Sequence, residues 1–318
     1  MSTCTTASRD LQEPLAGTAA TARTWLLIEQ PGPWGAKALV SSHLDPEVGR
    51  ALEAAADGTG VRVALIRRPG RHADRHAAQR RRVYAAHTTP GNAWLRSTTV
   101  DAPEELLRLD FVSLGAGRHG DFGEPYEGTP LAFVCTNGKR DRCCALLGRP
   151  LASELAASEA EGVWEVTHLG GHRFSPTLLV LPHGYAYGRS SAADVKEILE
   201  AVRSDRIVTY GCRGNSAWDR PGQAAELAVR RATGAYAAGV LSVVHTKSTD
   251  SFGAPNSTGS PDAPHWEVTV AHVDGRRWTV TVAQGSSLPP RPESCDAALG
   301  SPARMDVVAV REVSAAHG

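Results

Sequence analysis

The chain has no excess of charge. Lys plus Arg and Asp plus Glu stand at 34 each in 318 residues, so no net field points to nucleic acid or to an anionic membrane. Lysine is scarce, with Lys37, Lys139, Lys196 and Lys247 the only four. No apolar run reaches the roughly 18 residues of a membrane-spanning helix. The opening stretch MSTCTTASRDLQEPLAG has no apolar centre, which excludes a secretory signal in it. These absences together predict a soluble, cytoplasmic protein with no membrane partner. A C-x-x-C pair is also missing, which weighs against thioredoxin-type disulfide exchange. No aromatic residues interleave the basic segments, which weighs against single-stranded nucleic acid. No carboxylate pair is placed to flank a sugar, so nothing speaks for a glycosidase.

What is present divides along the chain. A length of 318 residues predicts two or three compact units. Residues 1–23, rich in Ser, Thr, Ala and Gly, read as a flexible tail. TWLLIEQ (24–30), a helix capped by Asp45 with Pro46 in its first turn, and VRVALI (61–66) predict an α/β unit over 24–126. The segment RRPGRHADRHAAQRRR (67–82) holds seven arginines and one aspartate; it reads as a solvated face or a docking patch for an acidic partner. GAGRHG (115–120) matches G-x-G-x-x-G, but a loop rather than a helix follows, so the dinucleotide reading is set aside.

The next segment, 127–210, carries strand, helix, strand, strand-turn-strand and helix, the order of a thioredoxin-like fold. Residues 211–285 predict a helix and a β-hairpin turning at Asp274-Gly275, and 286–318 a loosely attached C-terminal tail. The fold class is thus α/β. The N-terminal unit admits two readings, an independent α/β unit or a degenerate thioredoxin-like repeat that lacks any Cys or His pair.

The chemistry concentrates in the middle. Three of the six cysteines (Cys135, Cys143 and Cys144) crowd into ten residues, and such crowding points to metal or redox chemistry. Cys4, Cys212 and Cys295 are scattered and read as packed, incidental thiols. In VTHLGGHRF, His168 and His172 flank Leu-Gly-Gly after a strand. In an extended chain their spacing is roughly 13 Å, so convergence needs a bend at Gly170-Gly171, where glycine supplies the backbone angles. Parallel neighbouring strands would bring Cys135, Cys144, His168 and His172 to one sheet edge. Lys139, Arg140 and Arg142 would there favour thiolates. Two thiolates and two imidazoles suit a tetrahedral zinc or a 2Fe–2S cluster. The spacing fits neither a zinc finger nor the Rieske pattern.

VCTNGKRDRCC with THLGGHRFSPTLLVLPHGYAYGR resembles the sucrase/ferredoxin-like family of thioredoxin-like ferredoxins, and TWLLIEQPGPWG and VRVALIRRPGR extend the likeness over most of 24–285. The resemblance implies a 2Fe–2S cluster held by Cys135, Cys144, His168 and His172, with H-x-x-x-H in place of C-x-x-x-C. It implies one-electron transfer between a reductase and an acceptor, not sucrose hydrolysis. Aligning on Arg140-Asp141 makes Cys144 the ligand; Cys143 is the alternative. Exchanging two thiolates for neutral imidazoles predicts a raised midpoint potential, falling with pH by up to about 59 mV per unit if a ring proton is lost. The rivals are a zinc-stabilised interaction module and a thiol-redox protein.

Overall fold

The computed structural model describes residues 3–70, 80–158, 160–249 and 263–313. Helix α1 (Cys4–Asp10) opens the chain, with the Thr3 side chain accepting from the Thr6 N–H. Then come β1 (Thr24–Glu29), α2 (Pro46–Ala56), β2 (Val61–Arg67), β3 (Arg81–His87), β4 (Trp94–Val100) and α3 (Phe111–Gly115). A two-residue β5 (Glu124–Pro125) leads into β6 (Leu131–Cys135), α4 (Arg149–Ala157) and β7 (Val163–Val166). Strands β8 (Thr177–Leu181) and β9 (Tyr185–Gly188), helix α5 (Ala192–Arg203) and β10 (Cys212–Asn215) follow. Helix α6 (Arg220–Thr233) precedes β11 (Leu241–Thr249), β12 (His265–His272), β13 (Arg277–Ser286) and β14 (Ala303–Val313).

Ten strands form one mixed sheet in the order β10-β9-β8-β6-β7-β2-β1-β3-β4-β5, and β11-β12-β13-β14 form a separate antiparallel sheet. The fold is α/β, as expected. Within the large sheet the same pattern occurs twice. Strand β1 runs parallel to β2 and antiparallel to β3, which runs antiparallel to β4. Likewise β6 runs parallel to β7 and antiparallel to β8, which runs antiparallel to β9. Each half has its helix between the parallel strands (α2 or α4) and a closing helix (α3 or α5). The N-terminal unit therefore repeats the topology of the second half. The halves join where β2 and β7 pair antiparallel, Ile66 opposite Val166 and Arg67 opposite Glu165.

The middle strands read as continuous apolar runs because both faces are covered; all five residues of β6 are buried. One core cluster packs α4 and α5 on the second half, another packs α2 and α3 on the first. A third spans both halves and includes Trp25, Ile66, Phe133, Trp164 and the cysteines Cys135 and Cys144.

Both ends of the chain depart from expectation. Residues 1–23 are not a loose tail where described: Cys4, Thr5, Ser8, Glu13, Ala19 and Ala22 are buried. Glu13 accepts from Ser8, Arg173 and Arg291, a polar anchor that leaves no apolar periodicity to read. The C-terminal stretch is not loose either, because β14 pairs with β13 from Ser286↔Ala303 to Arg277↔Val313. It is an edge strand with mostly exposed or half-buried side chains, held by its ladder, so its sequence carries little alternation. The hairpin turn at Asp274-Gly275 is present between β12 and β13, with Gly275 at φ +96°.

Candidate metal centre

The loop after β6 and the loop after β7 leave the same edge of the sheet, since the two strands are parallel neighbours. Cys135 is the last residue of β6. Cys144 begins a π-helical turn, Cys144–Gly148, that runs into α4. Gly148 lies against the end of β6, where a methyl group would overlap the Cys135 carbonyl oxygen. This close approach brings the two sulfurs to 3.5 Å. Asp141 fixes the loop between them: its carboxylate accepts from the Cys143 N–H at 2.8 Å, and its backbone carbonyl from the Cys144 N–H at 3.1 Å.

The bend between the histidines is at the predicted place. Gly170 and Gly171 adopt φ +73° and +69°, the left-handed region. Beside Gly171 lies the guanidinium of fully buried Arg213, which donates to the Gly170 carbonyl at 3.1 Å. The turn stacks the rings of His168 and His172, with centroids 4.8 Å apart and planes 26° apart. His172 Nδ1 lies 3.4 Å from the Cys144 sulfur, and His168 faces Cys135. All four predicted residues therefore meet.

The electrostatics prepare the site for a cation. Cys135 is held well below the ordinary thiol range by the Cys144 thiol and by His168, against the opposing effect of burial. Cys144 is pushed up, first by its contact with Cys135 and then by burial. A metal cation bound here would take the place of the thiol protons of the two sulfurs. His172 is lowered by burial and by neighbouring His168, which favours the neutral ring that a metal needs. His168 Nδ1 is buried without a hydrogen-bond partner. The donor set and this unsatisfied nitrogen fit a thiophilic metal group.

Arg62 and Arg213, not foreseen from the sequence, are cations coupled to the Cys135 sulfur. Arg62 also donates to the His168 carbonyl at 3.2 Å. His168, half-buried, opens onto a cavity of about 580 Å³ whose lining includes Lys37, Arg62, Asn137 and Arg140. Of the arginine-rich segment 67–82, residues 71–79 lie outside the described residues. Arg67 pairs with Glu165 at 2.7 Å in the seam between halves, and Arg68 lies over Trp164 at 3.8 Å. Those two arginines serve packing.

Cys143 turns away from Cys144. Its sulfur lies 3.4 Å from Cys4 and 3.1 Å from Cys295, two cysteines expected to be incidental. Cys212 is buried and pushed up to about 12 by burial, as befits an inert packed thiol. Among the described residues, no helix is long and apolar enough to cross a membrane. A family model described as sucrase/ferredoxin-like matches residues 15–214, which include all four converging donors. No curated protein and no solved structure matches.

Proposed function

The chain belongs to the sucrase/ferredoxin-like family, and from that premise we propose that Cys135, Cys144, His168 and His172 hold a 2Fe–2S cluster in a one-electron carrier. One observation carries the reading: two thiols and two imidazoles converge, with Cys135 and Cys144 at 3.5 Å and the histidine rings stacked at 4.8 Å. The cluster, when bound, supplies a one-electron couple whose potential depends on ligands, hydrogen bonds and burial. The chain's residues set those conditions. Cys135 and Cys144 supply the anionic pair, and the two imidazoles, which add no negative charge as ligands, keep the total charge low. Buried Arg213 and half-buried Arg62 offset the thiolate charge. His168 is the donor at the cavity mouth, and Lys37, Arg62 and Arg140 make that mouth a docking face for an acidic redox partner.

A second reading, one zinc ion on the same four donors, is favoured by one observation. The 3.5 Å and 3.4 Å separations of the Cys144 sulfur from Cys135 and His172 suit ligands of a single tetrahedral ion. Colour separates the two, because zinc thiolates are colourless in the visible. The register of the ligands is tested by paired substitutions. Cys144→Ser is expected to abolish visible absorption and bound iron, and Cys143→Ser to retain both. The opposite pattern would reassign the ligand to Cys143 and contradict the site described.

A further inference from the structure

Beyond the cluster, three cysteines from the two ends and the middle of the chain meet at a second point. Cys4 Sγ lies 3.4 Å from Cys143 Sγ and 3.6 Å from Cys295 Sγ, and Cys143 lies 3.1 Å from Cys295. Cys4 and Cys143 are 1% exposed, and Cys295 is half-buried. Asp141, also buried, completes the group, with all four candidate ligand atoms within 4.8 Å of one another. We propose that Cys4, Cys143, Cys295 and Asp141 form a structural zinc site, adjacent to the four donors of the cluster but sharing none of them, with Asp141 also within 4.8 Å of the Cys144 and His172 ligand atoms.

The geometry favours one ion. Tetrahedral zinc with bonds of about 2.3 Å places its sulfurs about 3.8 Å apart, slightly wider than the three separations here. A dinuclear or larger cluster would spread the sulfurs further, and a disulfide would join two and leave the third thiol odd. Asp141 is already oriented for this role. One carboxylate oxygen accepts from the Cys143 N–H at 2.8 Å and the other from the Cys295 N–H at 2.9 Å. A carboxylate has about four lone-pair positions, so two remain for a metal. Thiolates and a carboxylate are both ordinary zinc ligands.

The backbone around the triad is braced independently. Glu13 pairs with Arg173 at 2.8 Å and Arg291 at 3.1 Å, and Arg173 also reaches Glu293 at 3.2 Å. Thr5 donates to the His172 carbonyl at 3.1 Å, and Ser175 to the Cys143 carbonyl at 3.0 Å. An ion at this point would fasten α1 and the segment before β14 to the loop that carries Cys144. Its binding would add to folding free energy directly.

The test uses the full chain, grown with zinc and iron and purified without air. Zinc, iron and sulfide are quantified, and the zinc absorption edge is recorded. The expected result is one zinc per chain with a shell of three sulfurs and one oxygen. Cys4→Ser and Cys295→Ser are each expected to lose the zinc while retaining iron and sulfide, which also reports that the variants fold. A zinc-free wild type would overturn the proposal. So would a shell of two sulfurs and two nitrogens, which would place zinc on the other site, or peptide mapping that finds a disulfide among the three cysteines. The wild-type edge spectrum decides the matter even where a serine variant fails to fold.

Discussion

At the residue scale, the site depends on two glycines with different neighbours. Gly170 at φ +73° has open space where a Cβ would lie, whereas a methyl on Gly171 at φ +69° would overlap the Arg213 guanidinium. Arg213 has nowhere to go: it donates to Thr18 Oγ1 at 3.1 Å, to the Thr18 carbonyl and to the Gly170 carbonyl, and lies 5.5 Å over Phe174. Gly170→Ala is therefore expected to cost only the left-handed backbone, roughly 1–2 kcal/mol, and to keep its iron. Gly171→Ala adds the displacement of a buried cation and is expected to cost more in urea unfolding and to lose iron. Equal losses for the two would show that Arg213 does not shape the turn. The need for a bend is legible in the sequence, because two histidines four apart on a strand cannot otherwise meet. Arg213 is not, since nothing in CRGN marks an arginine that reaches back 43 residues to a carbonyl.

At the scale of elements, strands and helices with apolar periodicity were readable and polar joints were not. The end of β3 is such a joint. His87 is 3% exposed and its Nδ1 lies 2.8 Å from Thr24 Oγ1 in β1. The single Thr24 hydroxyl proton goes to the Leu114 carbonyl at 2.7 Å, so His87 Nδ1 is the donor to the Thr24 oxygen. Burial first, and Arg23 second, push its pKa down from 6.5 to about 4. The unfolded chain then binds a proton the folded chain refuses. The resulting stability is complete above about pH 6.5 and is lost as pH falls toward 4, by roughly 3 kcal/mol in all. His87→Gln is expected to flatten that part of the stability profile, measured by urea unfolding from pH 4 to 7. An unchanged slope would show that His87 does not titrate with unfolding. The first repeat stands in the sequence only as one of two readings, for a related reason. Strand β4 has half-buried residues almost throughout and no clean alternation, so only the start of the unit could be read.

At the scale of the whole molecule, two topological repeats share one sheet, and the described residues place the converging Cys and His set at the edge of the second. The chain ends close around that edge: α1 contacts the His172 turn through Thr5, and Arg291 meets Glu13 across 278 residues. Sequence separations of that size leave no local pattern, which is why Cys4 and Cys295 read as incidental and both ends as loose. The convergence of Cys135, Cys144, His168 and His172 was legible because strand ends and a glycine bend are local features. The central claim concerns what these four residues hold. Its most direct test is the visible spectrum of the full chain purified without air, with iron and sulfide counted on the same sample. The account predicts a red-brown protein with two irons and two sulfides per chain. A chain that stays colourless and iron-free after reconstitution with iron and sulfide would contradict it.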